Sequence, residues 1–421
     1  MGMTIVEKIL ASRAGVAKVI PGDLVVVDVD TAVLVDNAFL PNVWREVTRV
    51  FDPAKIVIVF DHRAPAPDRR GARAHVDGRE FARRFGISRL HDIGRAGGIS
   101  HVVVAERAYA LPGTVLICSD SHTCSAGALN CAARGVGHPD MTYSITTGKS
   151  WFRLGTTVRY ELEDRLPAGV SAKDLFLFIA QSYGDHTNQN VEYGGSGLSS
   201  LSIDARRTLA TMSAELSVEF ATFEADDLLL DFIRMRTDLP FEPQSPDADA
   251  TYAAVRTVSL GEIEPMVALP DAVIDNVVPV GKVAGVRIDQ AFIGSCANGS
   301  LDDFAIAAGV LAGRRVADGV RLIVTPGSQE VYRQAVMAGY VATLAEAGAI
   351  VTNSTCGACS GSHLGILGPG ETCITASTRN FKGRMGDPTA RIFMASPATV
   401  AAAAVAGHIV HPGEFLHGGQ S

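Results

Sequence analysis

Short runs of aliphatic and β-branched residues alternate along the chain with longer stretches in which apolar residues recur every three or four positions. This alternation predicts an α/β fold with parallel sheets covered by helices, because parallel strands need a crossover helix between them. The predicted strands cover residues 24–29, 56–60, 115–117, 287–293 and 320–324. The predicted helices include residues 41–50 and 301–312, and residues 395–410 are expected to form a buried, alanine-rich helix.

The length of 421 residues exceeds what one hydrophobic core supports, so two or three domains are expected. A glycine-rich stretch at 194–197 and a proline-rich stretch at 240–246 are typical of turns or linkers. We place domain boundaries near residues 155 and 283, which divides the chain into residues 1–155, 156–283 and 284–421.

The composition argues against binding to nucleic acid or to a membrane. The net charge is −8, and lysine and arginine form no long block. The apolar segment 395–410 is too short to span a bilayer and is interrupted by Pro397 and His408. Seven cysteines, with no signal-like apolar stretch near Met1, predict a cytoplasmic protein whose thiols stay free in a reducing compartment.

Three cysteines carry the clearest chemical signal, namely Cys296 and the Cys-x-x-Cys pair Cys356 and Cys359. Three thiolates on a four-iron cluster would leave one iron open to substrate, and the glycines around the pair let the backbone approach a sulfide-rich group. The pair alone leaves other interpretations open: two zinc ligands with His363 as a further ligand, a dithiol redox pair, or simple burial. The remaining cysteines are expected to be small, buried apolar residues: Cys118, Cys124, Cys131 and Cys373.

Acidic residues and histidines follow two of the predicted strands. Asp61 and His62 come after strand 56–60, Asp120 and His122 come after strand 115–117, and His101 lies between the two motifs. Ligands of open α/β sheets bind at the carboxyl ends of the strands, and a carboxylate beside an imidazole suits it to donate a proton. One such pair alone is more often a surface feature, but the combination indicates a catalytic site. The other histidines are expected in the core or on the surface: His75, His91, His138, His186, His408, His411 and His417.

Two arginines near the carboxyl end offer a site for an anionic substrate. Arg379 and Arg384 are five positions apart with Gly383 between them, and guanidinium groups bind carboxylates through two parallel hydrogen bonds. Two solvated arginines on a loop would be the simpler interpretation if this motif stood alone. Because the chain is acidic as a whole, binding of an anion would depend on such local arginines.

Taken together, these motifs resemble the aconitase superfamily, and the likeness runs nearly end to end. The length and the start of the chain, residues 3–10, look like the large-subunit group of 3-isopropylmalate dehydratases within that superfamily. The motifs that carry the resemblance are Asp120-Ser121-His122-Thr123, Gly294-Ser295-Cys296-x-Asn298, Cys356-Gly357-x-Cys359 and Arg379-Asn380-Phe381-x-Gly383-Arg384.

The resemblance implies three α/β/α domains of the aconitase type around a central 4Fe-4S cluster with one open iron, which acts as a Lewis acid. By the same resemblance, His62 protonates the departing hydroxyl. The implied cluster ligands are Cys296, Cys356 and Cys359. The implied catalytic residues are Asp61, His62, His101, Asp120, His122 and Glu215, and the implied substrate-binding residues are Ser121, Asn298, Arg379 and Arg384.

The implied activity is that of a hydro-lyase acting on a small dicarboxylate, a substituted malate, through a cis-alkene. The first expectation is the interconversion of 3-isopropylmalate and 2-isopropylmalate in leucine biosynthesis. In this family a serine in a Gly-Arg-x-Ser-Ser-like motif on a swivelling domain removes the carbon-bound proton. No such serine pair follows the Gly-Arg pairs at Gly78, Gly94, Gly313 and Gly383. A small partner subunit that supplies the serine is therefore expected, and the chain alone is expected to be inactive.

Several positions depart from the family pattern. Thr211 and Thr378 stand where asparagine is common, Val102 stands where glutamine is usual, and Val35, Asn37 and Ala38 replace a run that is more polar in the family. Losing amide donors suits a different or less polar substituent on the malate skeleton, although drift compensated nearby explains the changes equally well. The alternative substrates are dimethylmalate, citramalate and homoaconitate. A cluster-free RNA-binding protein and a zinc protein are the alternatives of another class.

Overall fold

The computed structural model describes residues 2–43 and 47–416. The first part of the chain builds a parallel five-stranded sheet and a separate antiparallel pair of strands. Its elements are α1 (Ile5–Ala14), β1 (Leu24–Asp28), β2 (Thr31–Val35), β3 (Ile56–Val59), α2 (Arg69–Phe85), β4 (Arg89–His91), α3 (Ser100–Glu106), β5 (Val115–Cys118), β6 (Ala132–Gly135), α4 (His138–Thr147) and β7 (Lys149–Arg153). The strand order of the sheet is β4-β3-β2-β5-β6, and β1 pairs with β7.

The second part of the chain builds a parallel four-stranded sheet. Its elements are β8 (Thr156–Glu163), α5 (Ala172–Tyr183), β9 (Gln189–Gly194), α6 (Ile203–Ser213), β10 (Ala221–Phe223), α7 (Asp227–Arg234) and β11 (Ala254–Ser259). The strand order is β10-β9-β8-β11, and every pair in it is parallel. Helix α5 packs against α6 on one side and against strands of the third sheet on the other, so it lies between the second and third parts.

The third part of the chain builds a mixed seven-stranded sheet. Its elements are β12 (Met266–Ala268), β13 (Val277–Pro279), β14 (Gln290–Ile293), α8 (Ser295–Asn298), α9 (Leu301–Leu311), β15 (Arg321–Val324), α10 (Gln329–Met337), α11 (Tyr340–Glu346), β16 (Ile350–Val351), β17 (Thr372–Thr375), β18 (Arg391–Ala395), α12 (Pro397–Ala406) and α13 (Gly413–Leu416). The order is β13-β12-β18-β17-β14-β15-β16, and only the pairs that involve β12 are antiparallel.

The family-level prediction of an α/β fold built on parallel sheets is confirmed. Strands β3, β5 and β14 are buried along their whole length, which is why they appear in the sequence as continuous apolar runs. The predicted helix at 301–312 corresponds to α9, and the predicted alanine-rich helix corresponds to α12. Each sheet has its own buried cluster of apolar residues. The domain boundaries near 155 and 283 stay a prediction, and β12 and β13, which precede the second boundary, pair within the third sheet.

The first predicted strand was assigned to the wrong kind of sheet. Strand β1 does not join the parallel sheet but forms an antiparallel ribbon with β7. Its side chains alternate between exposed and buried, with Leu24 and Val26 facing outward at 66% and 50% exposure. Because both outward residues are apolar, the sequence has the continuous apolar pattern of a buried strand although only one face is covered.

The predicted helix at 41–50 is wrong for the residues that the structure describes. Residues 41–43 form a turn and residues 47–50 are irregular, while residues 44–46 lie outside the described part. Asn42 has a φ of 66°, in the left-handed region, and this conformation interrupts a right-handed helix. Val47, one of the apolar residues behind this prediction, is buried at 6% exposure outside any helix.

A sharp turn followed by a well-capped helix presents Cys296. Ser295 has a φ of 74°, and a Cβ atom on Gly294 would lie 2.9 Å from the Thr325 side chain, so the turn after β14 requires glycine at 294. Helix α9 then begins at a capping box, in which the Ser300 backbone N–H donates to Asp303 Oδ2 at 2.9 Å and the Asp303 N–H donates to Ser300 Oγ at 3.2 Å.

None of the helices in the described ranges combines the length and the apolar character that crossing a membrane requires.

We expect helix α9 to anchor the segment that carries Cys296. Phe304 is fully buried in the core of the third sheet. Replacing Phe304 by Ala should lower the free energy of unfolding by about 3–5 kcal/mol, the usual cost of deleting a buried phenylalanine ring. The measurement is denaturant unfolding followed by circular dichroism, with Met337→Ala, at a position 75% exposed, as the matched control. Equal unfolding midpoints for the two variants would contradict this role of α9.

Candidate active site

The loops at the carboxyl ends of two sheets meet around one cavity of about 210 Å³. Strands β3 and β5 of the first sheet and β14 and β17 of the third sheet all end beside it. This is the edge at which open α/β sheets bind ligands. Most of the residues singled out from the sequence line the cavity: Asp61, His62, His101, Asp120, His122, Cys296, Cys356, Cys359, Arg379 and Arg384.

His62 lies between two carboxylates. Its Nδ1 is 2.6 Å from Asp61 Oδ1, and its Nε2 is 3.3 Å from Asp120 Oδ2. Burial alone would lower the pKa of His62, but the charges of Asp61 and Asp120 and their hydrogen bonds raise this pKa well above its usual value. The raised pKa favours the protonated ring, which is the state that a proton donor needs.

Asp120 gathers all three histidines of the cavity. His101 Nε2 is 2.8 Å from Asp120 Oδ1, and the backbone N–H of His122 donates to the same oxygen at 2.9 Å. Burial alone would raise the pKa of Asp120, but hydrogen bonds from His101, His122 and His62 hold it well below its usual range. A carboxylate that stays ionised in this position can hold its histidine neighbours in fixed orientations.

Glu215 connects all three parts of the chain. It follows α6 of the second part, its Oε1 lies 2.8 Å from His122 Nε2 of the first part, and the same oxygen accepts a hydrogen bond of 2.8 Å from Arg379 Nε of the third part. Burial would raise the pKa of Glu215, but these two partners lower it. Arg379 also donates from Nη2 to Ser121 Oγ at 2.9 Å. Glu215 and Ser121 therefore act on the cavity indirectly, by holding the Arg379 side chain.

Of the predicted substrate-binding residues Arg384 and Asn298, only Arg384 lines the cavity. Arg384 lines the cavity, its Nη2 is 3.9 Å from Cys359 Sγ, and its Nε is buried with no protein hydrogen-bond partner. A buried N–H with no partner is what a substrate carboxylate would satisfy. Asn298 does not line the cavity but donates from Nδ2 to Asp303 Oδ1 at 3.0 Å. Its amide orients the capping residue of α9.

The three predicted metal ligands are free thiols around the same cavity. Cys356 and Cys359 are buried, and Cys296 is half-buried. Burial, with nearby negative charge, raises the pKa of Cys296 and Cys356 well above the usual value. Burial acts in the same direction on Cys359, but the Arg384 charge and hydrogen bonds from Thr378 lower its pKa to about 7. A bound cation would stabilise the thiolates of Cys296 and Cys356, which are costly to ionise without one, and the Arg384 guanidinium already favours the thiolate of Cys359.

The spacing of these thiols argues against a single zinc ion. Thiolates on one tetrahedral zinc lie about 3.8 Å apart, since Zn–S bonds are about 2.3 Å long. Within residues 2–43 and 47–416, the one group of three ligand atoms that all lie within 4.8 Å of one another is Asp61, His62 and Cys356, which holds only one of the three cysteines. The proposed fourth zinc ligand, His363, has its Nε2 3.1 Å from the carbonyl oxygen of His62. The Sγ atoms of Cys296, Cys356 and Cys359 therefore do not all lie within 4.8 Å of one another.

Two functional neighbours were not predicted as site residues. Asp36, directly after β2, accepts hydrogen bonds from the backbone N–H groups of His62 at 3.2 Å and Arg63 at 2.7 Å, and so holds the loop that carries His62. His75, which was assigned to core or surface, has Nε2 3.4 Å from Asp36 Oδ2 and stacks on Phe60. The position of Asp36 at a strand end was a signal available in the sequence, whereas the distance from His75 to Asp36 was not.

The structure also shows the surroundings of the remaining cysteines and of the positions that depart from the family pattern. Cys118, Cys124, Cys131 and Cys373 are buried free thiols, as predicted. Of the positions that depart from the family pattern, Asn37 and Thr378 line the cavity. Thr211 Oγ1 donates to the Arg207 carbonyl within α6, and Val102 packs with Ile99 and Cys356. His417 lies outside the described residues. A larger cavity of about 760 Å³, lined by residues such as Arg134 and Trp151, contains none of the predicted site residues.

Comparisons with known proteins agree with the fold and the site. The family model described as the aconitase family (aconitate hydratase) matches residues 75–284 and 274–407. The chain is 54% identical over 409 residues to the 3-isopropylmalate dehydratase large subunit of Mycolicibacterium smegmatis, which covers 97% of this chain and 96% of that one. It is 40% identical over 420 residues to the probable methanogen homoaconitase large subunit of Methanothermobacter thermautotrophicus, with 97% of each chain covered.

A more distant match is the crystal structure of aconitase X from Thermococcus kodakaraensis in its holo-form. It has a TM-score of 0.47 and 11% identity, and the match covers 84% of each chain. The family match and the dehydratase name of a relative over nearly the whole chain identify a hydro-lyase of a family of iron–sulfur enzymes. The chain belongs to the aconitase family.

The raised pKa of His62 has a consequence for stability. A histidine whose pKa is higher in the folded than in the unfolded state stabilises the fold below about pH 6.5, and this contribution is lost as the pH rises through the folded-state pKa. The difference in melting temperature between the unmodified chain and His62→Gln should therefore be largest in mildly acidic buffer and should shrink in alkaline buffer. Scanning calorimetry across this range, with exposed His411→Gln as the matched control, is the measurement. A difference independent of pH would contradict the raised pKa.

Proposed function

We propose that the chain is the large, catalytic subunit of an enzyme that interconverts 3-isopropylmalate and 2-isopropylmalate through a cis-alkene, the isomerisation used in leucine biosynthesis. The observation that carries the proposal is the 54% identity to a 3-isopropylmalate dehydratase large subunit over 97% of the chain. The cavity supports it, because a proton donor, a group of histidines and two arginines surround a space suited to a small dicarboxylate.

The proposed cofactor is a 4Fe-4S cluster held by Cys296, Cys356 and Cys359. The donor set supports it, since three free thiols line one cavity at a spacing wider than one zinc ion allows. When bound, such a cluster supplies a Lewis acid at the iron that has no cysteine ligand. Thr378 Oγ1, 3.6 Å from Cys359 Sγ, and Arg384 would then stabilise the negative charge on the Cys359 sulfur.

In the proposed reaction His62 gives its Nε2 proton to the departing hydroxyl, and Asp61 holds the ring from the Nδ1 side. Asp120 keeps His62, His101 and His122 in place and offsets their charge. Arg384 binds a carboxylate of the substrate through its unpartnered Nε. Arg379, already held by Glu215 and Ser121, binds a carboxylate in a fixed direction. Fixed donors of this kind lower the cost of orienting the substrate.

We further propose that a small partner subunit supplies the base that removes the carbon-bound proton. The serines that line the cavity, Ser295, Ser360 and Ser362, are not preceded by the Gly-Arg pair of the family motif. The relatives of this chain are named as large subunits, which supports a two-subunit enzyme.

A homoaconitate-type substrate is the second candidate. The relative named as a probable methanogen homoaconitase large subunit is 40% identical over nearly the whole chain, so the large subunits of the two enzymes share most of their sequence. Thr378 and Asn37 are the family-variable positions that line the cavity, and the threonine methyl beside Cys359 favours a less polar substituent than an asparagine would, which ranks 3-isopropylmalate above homoaconitate.

The substrate can be tested on the chain purified without oxygen together with the small subunit encoded nearest to it. We expect a full complement of iron and sulfide and the fastest alkene formation, followed by ultraviolet absorbance, with 3-isopropylmalate among the substituted malates. A loaded enzyme that prefers homoaconitate, citramalate or dimethylmalate would overturn the substrate assignment and leave the family unchanged.

Replacing His62 by Ala should leave iron and sulfide in place and slow turnover by about 10²-fold or more, the usual contribution of a general acid. His411→Ala, an exposed position, is the matched control. Turnover measured at saturating substrate, alongside metal analysis, separates loss of the acid from loss of the cluster. A His62→Ala enzyme that turns over as fast as the control would exclude His62 as the donor.

Replacing Cys359 by Ser should abolish both the cluster and the activity, since one of three thiolate ligands is lost. Cys373→Ser is the matched control because Cys373 is buried in the same part of the chain and is not a cavity residue. Iron and sulfide content is the measurement. A Cys359→Ser chain that keeps its full iron content would refute the assigned ligand set.

A further inference from the structure

A buried lysine outside the predicted site lies between the cavity and the second sheet. Lys173 is in the first turn of α5, the helix that packs against α6 and against strands of the third sheet. Its side chain has 0% exposure, so the ammonium group is entirely removed from water. A lysine in this state is rare unless its charge is balanced by a partner.

The hydrogen bonds of Lys173 do not balance its charge. Its Nζ donates to the carbonyl oxygen of Ser377 at 2.9 Å and to the sulfur of Met212 at 3.1 Å, both of which are neutral. In the part of the chain that the structure describes, none of the ion pairs within 4.0 Å involves Lys173. The ordinary explanation for a buried ammonium, a direct carboxylate partner, therefore does not apply.

Several of the negative groups that act on Lys173 belong to the candidate site. Burial lowers the pKa of Lys173 to about 8, and the groups that oppose this shift are, in order, Cys296, Asp303, Cys359 and Glu215. Cys296 and Cys359 are proposed cluster ligands, Glu215 is the carboxylate that holds Arg379, and Asp303 is the capping-box residue of α9. The contacts agree with this, because Ser377, whose carbonyl accepts from Nζ, directly precedes Thr378, whose Oγ1 is 3.6 Å from Cys359 Sγ.

The backbone partner of Lys173 connects it to substrate binding as well. Ser377 is two residues before Arg379, and Met212 is three residues before Glu215, so the Nζ contacts both segments that meet at the Arg379–Glu215 pair. A positively charged donor to a backbone carbonyl forms a stronger hydrogen bond than a neutral one. Lys173 therefore holds the two segments together from the buried side.

We propose that Lys173 is a positioning residue whose buried ammonium group balances the negative charge of the cluster thiolates while its hydrogen bond to Ser377 fixes the segment that carries Arg379. This inference rests on the proposed ligation of a cluster by Cys296, Cys356 and Cys359, and not on the identity of the substrate.

The proposal predicts that replacing Lys173 by an apolar residue has opposite effects on the cluster-free and the cluster-loaded protein. Without the cluster, the ammonium is a buried charge without a direct counter-charge, and replacing it by an apolar side chain of similar length removes that cost. With the cluster, the same replacement leaves the charge of the thiolates and the cluster unbalanced. Removing a nearby positive charge also makes reduction of a cluster harder, so its reduction potential falls.

The test uses Lys173→Met in the full chain, with and without a reconstituted cluster. We expect the cluster-free variant to melt no lower than the cluster-free unmodified chain. We expect the loaded variant to release iron to a chelator about 10–100-fold more readily, the scale found for groups that support metal ligands. Its cluster should also show a more negative midpoint potential in a redox titration followed by electron paramagnetic resonance.

Two matched variants separate charge from packing. Lys149→Met removes an exposed ammonium paired with Asp28, far from the thiols, and should leave the potential unchanged. Met212→Leu removes the sulfur contact, keeps the ammonium and conserves volume, so it should also leave the potential unchanged. A Met212→Leu shift as large as that of Lys173→Met would overturn the charge role in favour of packing.

The outcomes also distinguish this inference from the proposed function. A Lys173→Met chain that loads and holds iron as the unmodified chain does, at the same potential, overturns the inference and leaves the function intact. A cluster-free variant that melts well below the unmodified chain would show that Lys173 is only structural. An unmodified chain that takes up no iron and sulfide overturns both the cofactor and this inference.

Discussion

The structure depends on holding several negative charges in and beside the cavity where two sheets meet. Asp36 and Asp61 are fully buried and the Asp120 side chain is 15% exposed, and each is held by histidine side chains or by backbone N–H groups. Isolated buried charges cost several kcal/mol each, whereas paired and hydrogen-bonded ones are tolerated. The sheets make this possible because the carboxyl ends of their strands bring residues far apart in sequence into hydrogen-bond distance.

Much of the fold and of the candidate site could be predicted from the sequence, and the reasons are local. Buried parallel strands appear as apolar runs, and the residues that follow them, such as Asp61 and Cys296, occupy the carboxyl edge of a sheet by geometry alone. The errors also have local causes. The ribbon of β1 and β7 exposes Leu24 and Val26, so an antiparallel strand has the apolar pattern of a buried one. In residues 41–50 the apolar spacing suggested a helix, but Asn42 has a left-handed conformation.

The sequence could not predict contacts between residues that lie far apart along the chain. Lys173 follows the N-cap Ser171 of α5, where a lysine looks like an ordinary solvent-exposed residue, and only tertiary packing brings it to Ser377. His75 lies on α2 at a position that looks like core, and its proximity to Asp36 depends on how α2 packs against the short helical turn Asp36–Phe39. Such pairs have no signature at a fixed spacing, because the partners are joined only by the folded sheets.

The cysteines and the acid–base residues of the site come from different parts of the chain. The three thiols all come from residues 296–359, whereas the histidines come from residues 62–122 and the carboxylate that connects them to Arg379 comes from the second part of the chain. The third part thus contains all three proposed cysteine ligands on its own, and only docking of the other two parts surrounds them with acid–base groups. Under the proposed ligation, damage to the docking surfaces would leave the thiols able to hold iron but would expose that iron to oxidants, so that loss of activity would precede loss of metal.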